Sequence, residues 1–316
     1  MSGARTSVRI RVPATSANLG PAFDCAGLAL SCADDLDFTV TDGGLSVEMT
    51  GEGADELPTD ESHLVVRAFR AACDELGWAP PGLRLATTNA IPQGRGMGSS
   101  AAAVVGGVFG AWALCPDVGA IDLGAVLRLA DRFEGHADNV AACLHGGVTL
   151  VWAGDDGPVA ERLDVDPRIQ PLLLVPGSTL STTAARGLLP ELVPHGDASF
   201  NAGRSALLVA ALTWDPGLLL PATEDRLHQR QRAAAMPDSL ALVERLRAEG
   251  LAAVVSGAGP SVLVLTSRQP GDDLVDFSDG AEVRRVAGLV PTGWRLLPLS
   301  VDGTGARVLS GAQVTS

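Results

Sequence analysis

Residues 91–101 read IPQGRGMGSSA. Three glycines fall on alternate positions, two serines follow, and a long run of small apolar residues comes next. A helix start leaves several backbone N–H groups without internal partners and carries the positive end of the helix dipole. Glycines ahead of such a start let the main chain approach an anion with no Cβ in the way. Ser99 and Ser100 can cap the helix and offer hydroxyls to phosphate or to a metal ion. Gly94, Gly96 and Gly98 with these serines make a coherent phosphate seat. A tight turn feeding a closely packed helix accounts for the same residues without a ligand. The dinucleotide fingerprint does not fit, because its third glycine is missing. The lysine-bearing phosphate loop does not fit either, since Arg95 lies inside the stretch and no lysine follows.

Working outward, 82–92 has the composition of a strand leading into the glycines, and 7–13 alternates apolar and polar as a half-buried strand does. Segments 35–43 and 45–53 read as a hairpin turning at Asp42-Gly43-Gly44. Helical spacing runs through 63–77, closed by Gly77, and through the amphipathic 121–135. A strand follows at 145–154, and a Gly/Asp/Pro cluster from Gly154 to Pro158 marks a composition shift. Beyond it, 169–177 reads as strand, 197–214 and 238–250 as helices. Segment 251–267 is two apolar runs broken by Ser-Gly-Ala-Gly-Pro. Strands and helices mix without regular alternation, so the expected class is α+β in two halves, 1–158 and 159–316.

The 316 residues suffice for two domains with their own cores. A hydrophobic content of 46% and a mean hydropathy of +0.23 exclude disorder. The net charge of −14 makes the chain a poor partner for nucleic acid or an anionic membrane. An anionic substrate needs a local electropositive site. All 23 basic residues are arginine, which removes Schiff-base chemistry and pyridoxal phosphate attachment. Five scattered cysteines show no metal spacing and read as free thiols in a reducing cytosol. The start lacks the apolar core of a signal peptide. The uncharged stretch from Gly96 to Pro116 is long enough to span a membrane, but its Gly, Ala and Ser content reads as a buried helix. The expected location is cytoplasmic.

Three separated stretches resemble the three motifs of the GHMP kinase superfamily, and within it the bacterial homoserine kinases. They are RVPATSANLGPAFDCAGLAL (11–30), IPQGRGMGSSAAA (91–103) and AVVSGAGPSVLVL (253–265). Blocks at 134–148, 181–190, 200–212, 225–237 and 293–308 are similar as well, so the likeness spans nearly the whole chain. The resemblance implies a two-domain GHMP kinase fold, with an N-terminal α/β nucleotide-binding domain and a C-terminal ferredoxin-like α+β domain. It implies ATP and Mg²⁺ as cofactors and phosphorylation of the side-chain hydroxyl of L-homoserine to O-phospho-L-homoserine, a step toward threonine. A homodimer is one assembly open to it.

The resemblance also implies roles for residues. ATP contacts run through Pro92, Gly94, Arg95, Gly96, Met97, Gly98, Ser99 and Ser100, with His63 near adenine. Ser100 and Glu134 are the metal ligands. Asp24 receives the substrate ammonium, Arg186 and Arg232 its carboxylate, and Gly257 closes a loop over it. Asn18 sits near the reactive hydroxyl, and His136 and Asn139 complete the catalytic side. His136 is expected to position more than to act as base, and Asp138 to be structural. The chain departs from the family at Ala22, where glycine is usual and a positive φ would strain alanine, and at Met97, His63, Gln231 and 31–35. These departures leave as an alternative a family paralogue acting on another small hydroxy amino acid; a third reading, from another class, is a non-catalytic ligand-sensing member of the fold.

Overall fold

The structure is a computed structural model that describes residues 6–268 and 280–309. Strand β1 (Ser7–Ala17) turns Val8, Ile10 and Val12 into the core. The alternate residues Arg9 and Arg11 form two-point pairs with Asp37 and Asp35 across β2 (Ala26–Thr41), at 2.7–2.8 Å. Next come β3 (Gly44–Gly51), α1 (Leu64–Glu75), β4 (Gly82–Asn89), α2 (Ser99–Leu114), α3 (Leu123–Glu134) and α4 (Asp138–His145). The hairpin β5 (Val148–Gly154) and β6 (Gly157–Leu163) completes the first half. The second half holds β7 (Ile169–Val175), α5 (Thr182–Arg186), α6 (His195–Thr213), α7 (Leu219–Ala222), α8 (Pro237–Ala248), β8 (Ala252–Val255) and β9 (Val262–Ser267). Helix α9 (Ala281–Ala287), β10 (Arg295–Pro298) and β11 (Arg307–Leu309) close the chain.

The first sheet runs β11-β1-β2-β4-β3, with β5 on the start of β2 and β6 on β5. The expected hairpin of 35–43 with 45–53 does not form. The chain does reverse at Asp42-Gly43-Gly44, but β4 lies between the two strands, antiparallel to β2 and parallel to β3. Alternation tells which face of a strand is buried, not which strand is its neighbour. Helix α2 is buried nearly all round, between α1 and the sheet. That is why its sequence carries no charge, and no helix among the described residues is long and apolar enough to cross a membrane.

The second sheet, β10-β7-β9-β8, is antiparallel throughout and has the order of a ferredoxin-like β-α-β-β-α-β unit. Both of its faces are covered, so every residue of β7 is buried, Gln170 included. Leu173, Val254 and Leu263 join the core of the first half, while Leu172, Leu174 and Val264 meet α8 and α9. The boundary expected after Pro158 falls inside β6, which belongs to the first sheet, and the chain returns to that sheet at β11.

Candidate active site

The glycine stretch explains its own spelling. Gly94, Gly96 and Gly98 have φ of 62°, 68° and 67°, so the backbone enters the left-handed region at every second residue. Around Gly96 space is as limiting as dihedral angle. A Cβ there would run into the Ser256 carbonyl and sit 2.9 Å from the Gly259 carbonyl oxygen. Three carbonyls of the stretch are held by other elements. Leu180 N–H donates to Gly94 O (2.9 Å), Ser256 Oγ to Gly96 O (2.6 Å) and Thr15 N–H to Met97 O (3.0 Å). With its carbonyls engaged, the stretch leaves its N–H groups for the opening of α2.

Gly98, not a serine, caps α2, and no side chain caps its first turn. The expectation that Ser99 and Ser100 cap the helix is therefore corrected; they are its first two residues. The N–H groups of this first turn lack intrahelical partners. Ser100 donates its hydroxyl hydrogen to Glu134 Oε1, joining the start of α2 to the end of α3. Gly135, at φ 72°, then turns the chain toward His136.

The turn after β1 is strained. Asn18, Leu19 and Asp24 have φ of 70°, 47° and 56°, whereas Ala22 is not in the left-handed region, so the strain expected there is absent. Asn and Asp tolerate this conformation, leucine poorly. The turn is pinned from several sides. Asn18 accepts from Asp24 N–H (2.9 Å) and donates to Gly257 O (2.9 Å), while Pro21 O receives Asn201 Nδ2 (3.1 Å) and Ser205 Oγ (3.0 Å). Non-glycine residues held at such angles mark sites where geometry has been placed above local stability.

These segments wall a cavity of about 230 Å³. Its floor is Gly94, Gly96, Gly98 and the first turn of α2; its sides are Glu134, His136, Asp138 and Asn139, the start of α5 with Arg186, and Arg232 with Gly257. A second, less polar cavity of about 260 Å³ lies across Ser99 and Ser100, walled by His63, Val65, Leu36 and Leu57. His63 thus faces the neighbouring cavity, and burial lowers its pKa. Pro92 and Met97 are buried beneath the stretch. Arg95 points away, donating to the carbonyls of Gln93, Pro176 and Gly177 at 3.0–3.1 Å, so it ties the halves together and does not wall the cavity.

Within the main cavity charges are arranged unevenly. Asp24 and Arg186, expected to take opposite ends of a substrate, pair with each other at 2.6 and 3.0 Å. Arg232 is wholly buried, and among the described residues no carboxylate reaches it. Its Nη1 has only the Gly257 carbonyl (3.4 Å) and His228 Nδ1 (3.3 Å), its Nε has no partner, and it stacks 5.2 Å from the Phe23 ring. Desolvation lowers its pKa, the cost of an uncompensated buried cation. His136 Nδ1 lies 3.3 Å from Asp138 Oδ1, and that contact raises the histidine pKa. Asp138, read as structural, is buried beside this histidine and accepts from Asn139 N–H at 2.7 Å. Asn139 uses its amide inside the protein, accepting from Thr15 Oγ1 at 2.7 Å. Thr15, Phe23, Gln93, Ser181 and Ser256 are participants that the sequence reading did not single out. Each lies inside a stretch quoted for the resemblance: Thr15 and Phe23 in 11–30, Gln93 in 91–103, Ser181 in 181–190 and Ser256 in 253–265.

The second cavity holds a buried acid. Asp34 accepts from Ala90 N–H (2.7 Å) and Ile91 N–H (2.9 Å), and burial pushes its carboxyl up to about 6. A folded pKa above the unfolded 3.8 means that stability falls as pH rises from about 4 to 6 and is level beyond. Asp34→Asn keeps an acceptor for both N–H groups and removes the titration. Urea unfolding should show the variant more stable at pH 7.5, by up to roughly 3 kcal/mol, and no advantage at the acid limit. An equal difference at both pH values would contradict this.

Family models for the GHMP kinases N terminal domain and the GHMP kinases C terminal match residues 63–147 and 209–277. The homoserine kinase of Streptomyces avermitilis is 52% identical over 304 residues, 96% of each chain. That of Clavibacter michiganensis is 53% identical over 302 residues, 95% of this chain and 93% of its own. The solved homoserine kinase of Cytophaga hutchinsonii superposes with a TM-score of 0.82 at 26% identity, covering 98% of this chain and 99% of that one. The solved L. major mevalonate kinase shares the fold, with a TM-score of 0.63 at 16% identity. The chain belongs to the homoserine kinase family of the GHMP kinases.

Proposed function

We propose that this enzyme transfers the γ-phosphoryl group of ATP to the side-chain hydroxyl of L-homoserine, releasing ADP and O-phospho-L-homoserine. The observation that carries the reading is that one cavity holds an uncapped helix start and a buried guanidinium with no carboxylate partner among the described residues. The first is a seat for phosphate. The second is a seat for an amino-acid carboxylate, which can meet the planar fork in two-point fashion. The triphosphate lies on the amides from Gly98 to Ala101, and the nucleoside extends into the less polar cavity beside His63. Relatives named as homoserine kinases at about half identity support the choice of amino acid.

Ser100 and Glu134 touch, and both offer the hard oxygen donors that Mg²⁺ prefers; two protein ligands leave positions for water and phosphate. They are the residues that would hold Mg²⁺, which would supply charge neutralisation at the phosphates. The protein's own work is placement. The substrate carboxylate sits on Arg232, and its ammonium displaces Arg186 from Asp24. The hydroxyl oxygen forms its bond to the γ-phosphorus as the bond to the β-phosphate oxygen breaks, with ADP leaving. His136, whose charged form Asp138 favours, lines the cavity where it can donate to phosphate oxygen. Asn139 cannot take a proton, so the hydroxyl proton departs with the transferred group.

A panel of amino alcohols with ATP and Mg²⁺, read by ADP release, tests the substrate. Turnover should depend on L-homoserine; strong turnover of a different amino alcohol with none of homoserine would retire the reading. Arg232→Leu should raise KM for homoserine with little change in kcat, by about 2–3 kcal/mol of lost charge-assisted bonding. An unchanged KM would move the carboxylate seat elsewhere.

A further inference from the structure

His228 lies between α7 and α8, is wholly enclosed, and walls neither cavity. Its ring makes one hydrogen bond at each nitrogen. Nε2 is 2.7 Å from the Gly20 carbonyl. A carbonyl only accepts, so Nε2 carries the hydrogen and donates it. In the neutral ring Nδ1 is then a bare acceptor, and it faces Arg232 Nη1 at 3.3 Å. Desolvation favours that neutral ring. Asp225, 3.8 Å from Nε2, is engaged by the backbone N–H groups of Leu227, His228 and Gln229 and by Asn201 Nδ2. The ring also leans on Phe23, centroids 5.1 Å apart, the same ring on which Arg232 stacks.

We infer that His228 is a positioning residue for the carboxylate seat: as the Nε2–H tautomer it steers the Arg232 guanidinium toward the cavity without cancelling its charge. The inference rests on the homoserine reading. A carboxylate in place of His228 would hold Arg232 equally well and neutralise it, as Asp24 does to Arg186. A neutral acceptor keeps the cation hungry for an anion. The same ring grips Gly20, so the turn that carries Asn18 and Asp24 and the arginine across the cavity share one buried fixture.

Steady-state kinetics on L-homoserine and on 3-aminopropan-1-ol, the same skeleton without the carboxylate, test it. His228→Gln retains an N–H for Gly20 and loses the acceptor for Arg232; His228→Asn retains an acceptor near the Nδ1 position. His228→Gln should raise KM for homoserine about tenfold, with kcat within about threefold and kcat/KM for aminopropanol within about twofold. His228→Asn should recover most of the homoserine KM. Added to Arg232→Leu, His228→Gln should cost nothing further, since residues acting through one contact are not additive. Equal losses on both alcohols, an unchanged homoserine KM, or full additivity with Arg232→Leu would overturn the inference. The ratio between the two alcohols is read within one preparation, so a lower folded fraction does not mask it. Should the unsubstituted enzyme fail to favour homoserine over aminopropanol, the carboxylate reading itself fails, whatever the variants do.

Discussion

Glu134→Ala is expected to lower kcat by two orders of magnitude or more while leaving the fold almost as stable as before. The stability side follows from position. Glu134 ends α3, is only partly buried, and belongs to no core cluster; the left-handed Gly135 that closes the helix is untouched. Losses from such a site stay near 1 kcal/mol or below. The kinetic side follows from charge. Phosphoryl transfer asks for little beyond placement and neutralisation, and Glu134 is the carboxylate that meets Ser100 at the phosphate seat. Raising Mg²⁺ should restore part of the rate by mass action. Glu134→Gln should stay impaired, because it keeps a partner for Ser100 but not the charge. A kcat within about threefold of the parent in the alanine variant would remove Glu134 from the mechanism.

Gly96→Ala is expected to be the most disruptive change in the loop, costing about 3 kcal/mol or more of stability and nearly all activity. The backbone angle of φ 68° alone penalises alanine by roughly 1–2 kcal/mol. The remainder comes from the new methyl group, which meets the backbone of Ser256 and Gly259 and not a side chain able to swing aside. Relief would part the glycine stretch from the third motif and break the 2.6 Å bond from Ser256 Oγ to Gly96 O. Gly94→Ala is the control. Its φ is 62°, yet its Cβ would meet only the Thr179 side chain at 3.4 Å, an ordinary contact. Equal destabilisation of the two, by urea unfolding, would mean that close approach plays no part.

What the sequence disclosed is what short-range chemistry encodes. Alternate glycines announce a backbone that must be approached closely, and the uncharged run after them announces a buried helix. Motif likeness carried Ser100, Glu134, Arg186 and Arg232 to one cavity, which no spacing rule could do for residues more than a hundred positions apart. What stayed hidden depended on partners distant in the chain. Arg95 looked like a phosphate contact because it stands inside the glycine stretch, but the carbonyls of Pro176 and Gly177 claim it. Asp24 and Arg186 are each legible as charges, and only the fold reveals that they answer one another. The insertion of β4 between β2 and β3 is a choice among equally apolar neighbours. Strain sits at Asn18, Leu19 and Asp24 and not at Ala22, because the turn is shaped by Gly257, Asn201 and His228 from the second half.

A crystal structure with a non-hydrolysable ATP analogue, Mg²⁺ and L-homoserine puts the whole scheme to its plainest test. Phosphate oxygens on the main-chain amides where α2 opens, with the amino-acid carboxylate against Arg232, are the predicted outcome. A triphosphate bound away from Gly98–Ala101, or a homoserine carboxylate that ignores Arg232, would contradict it.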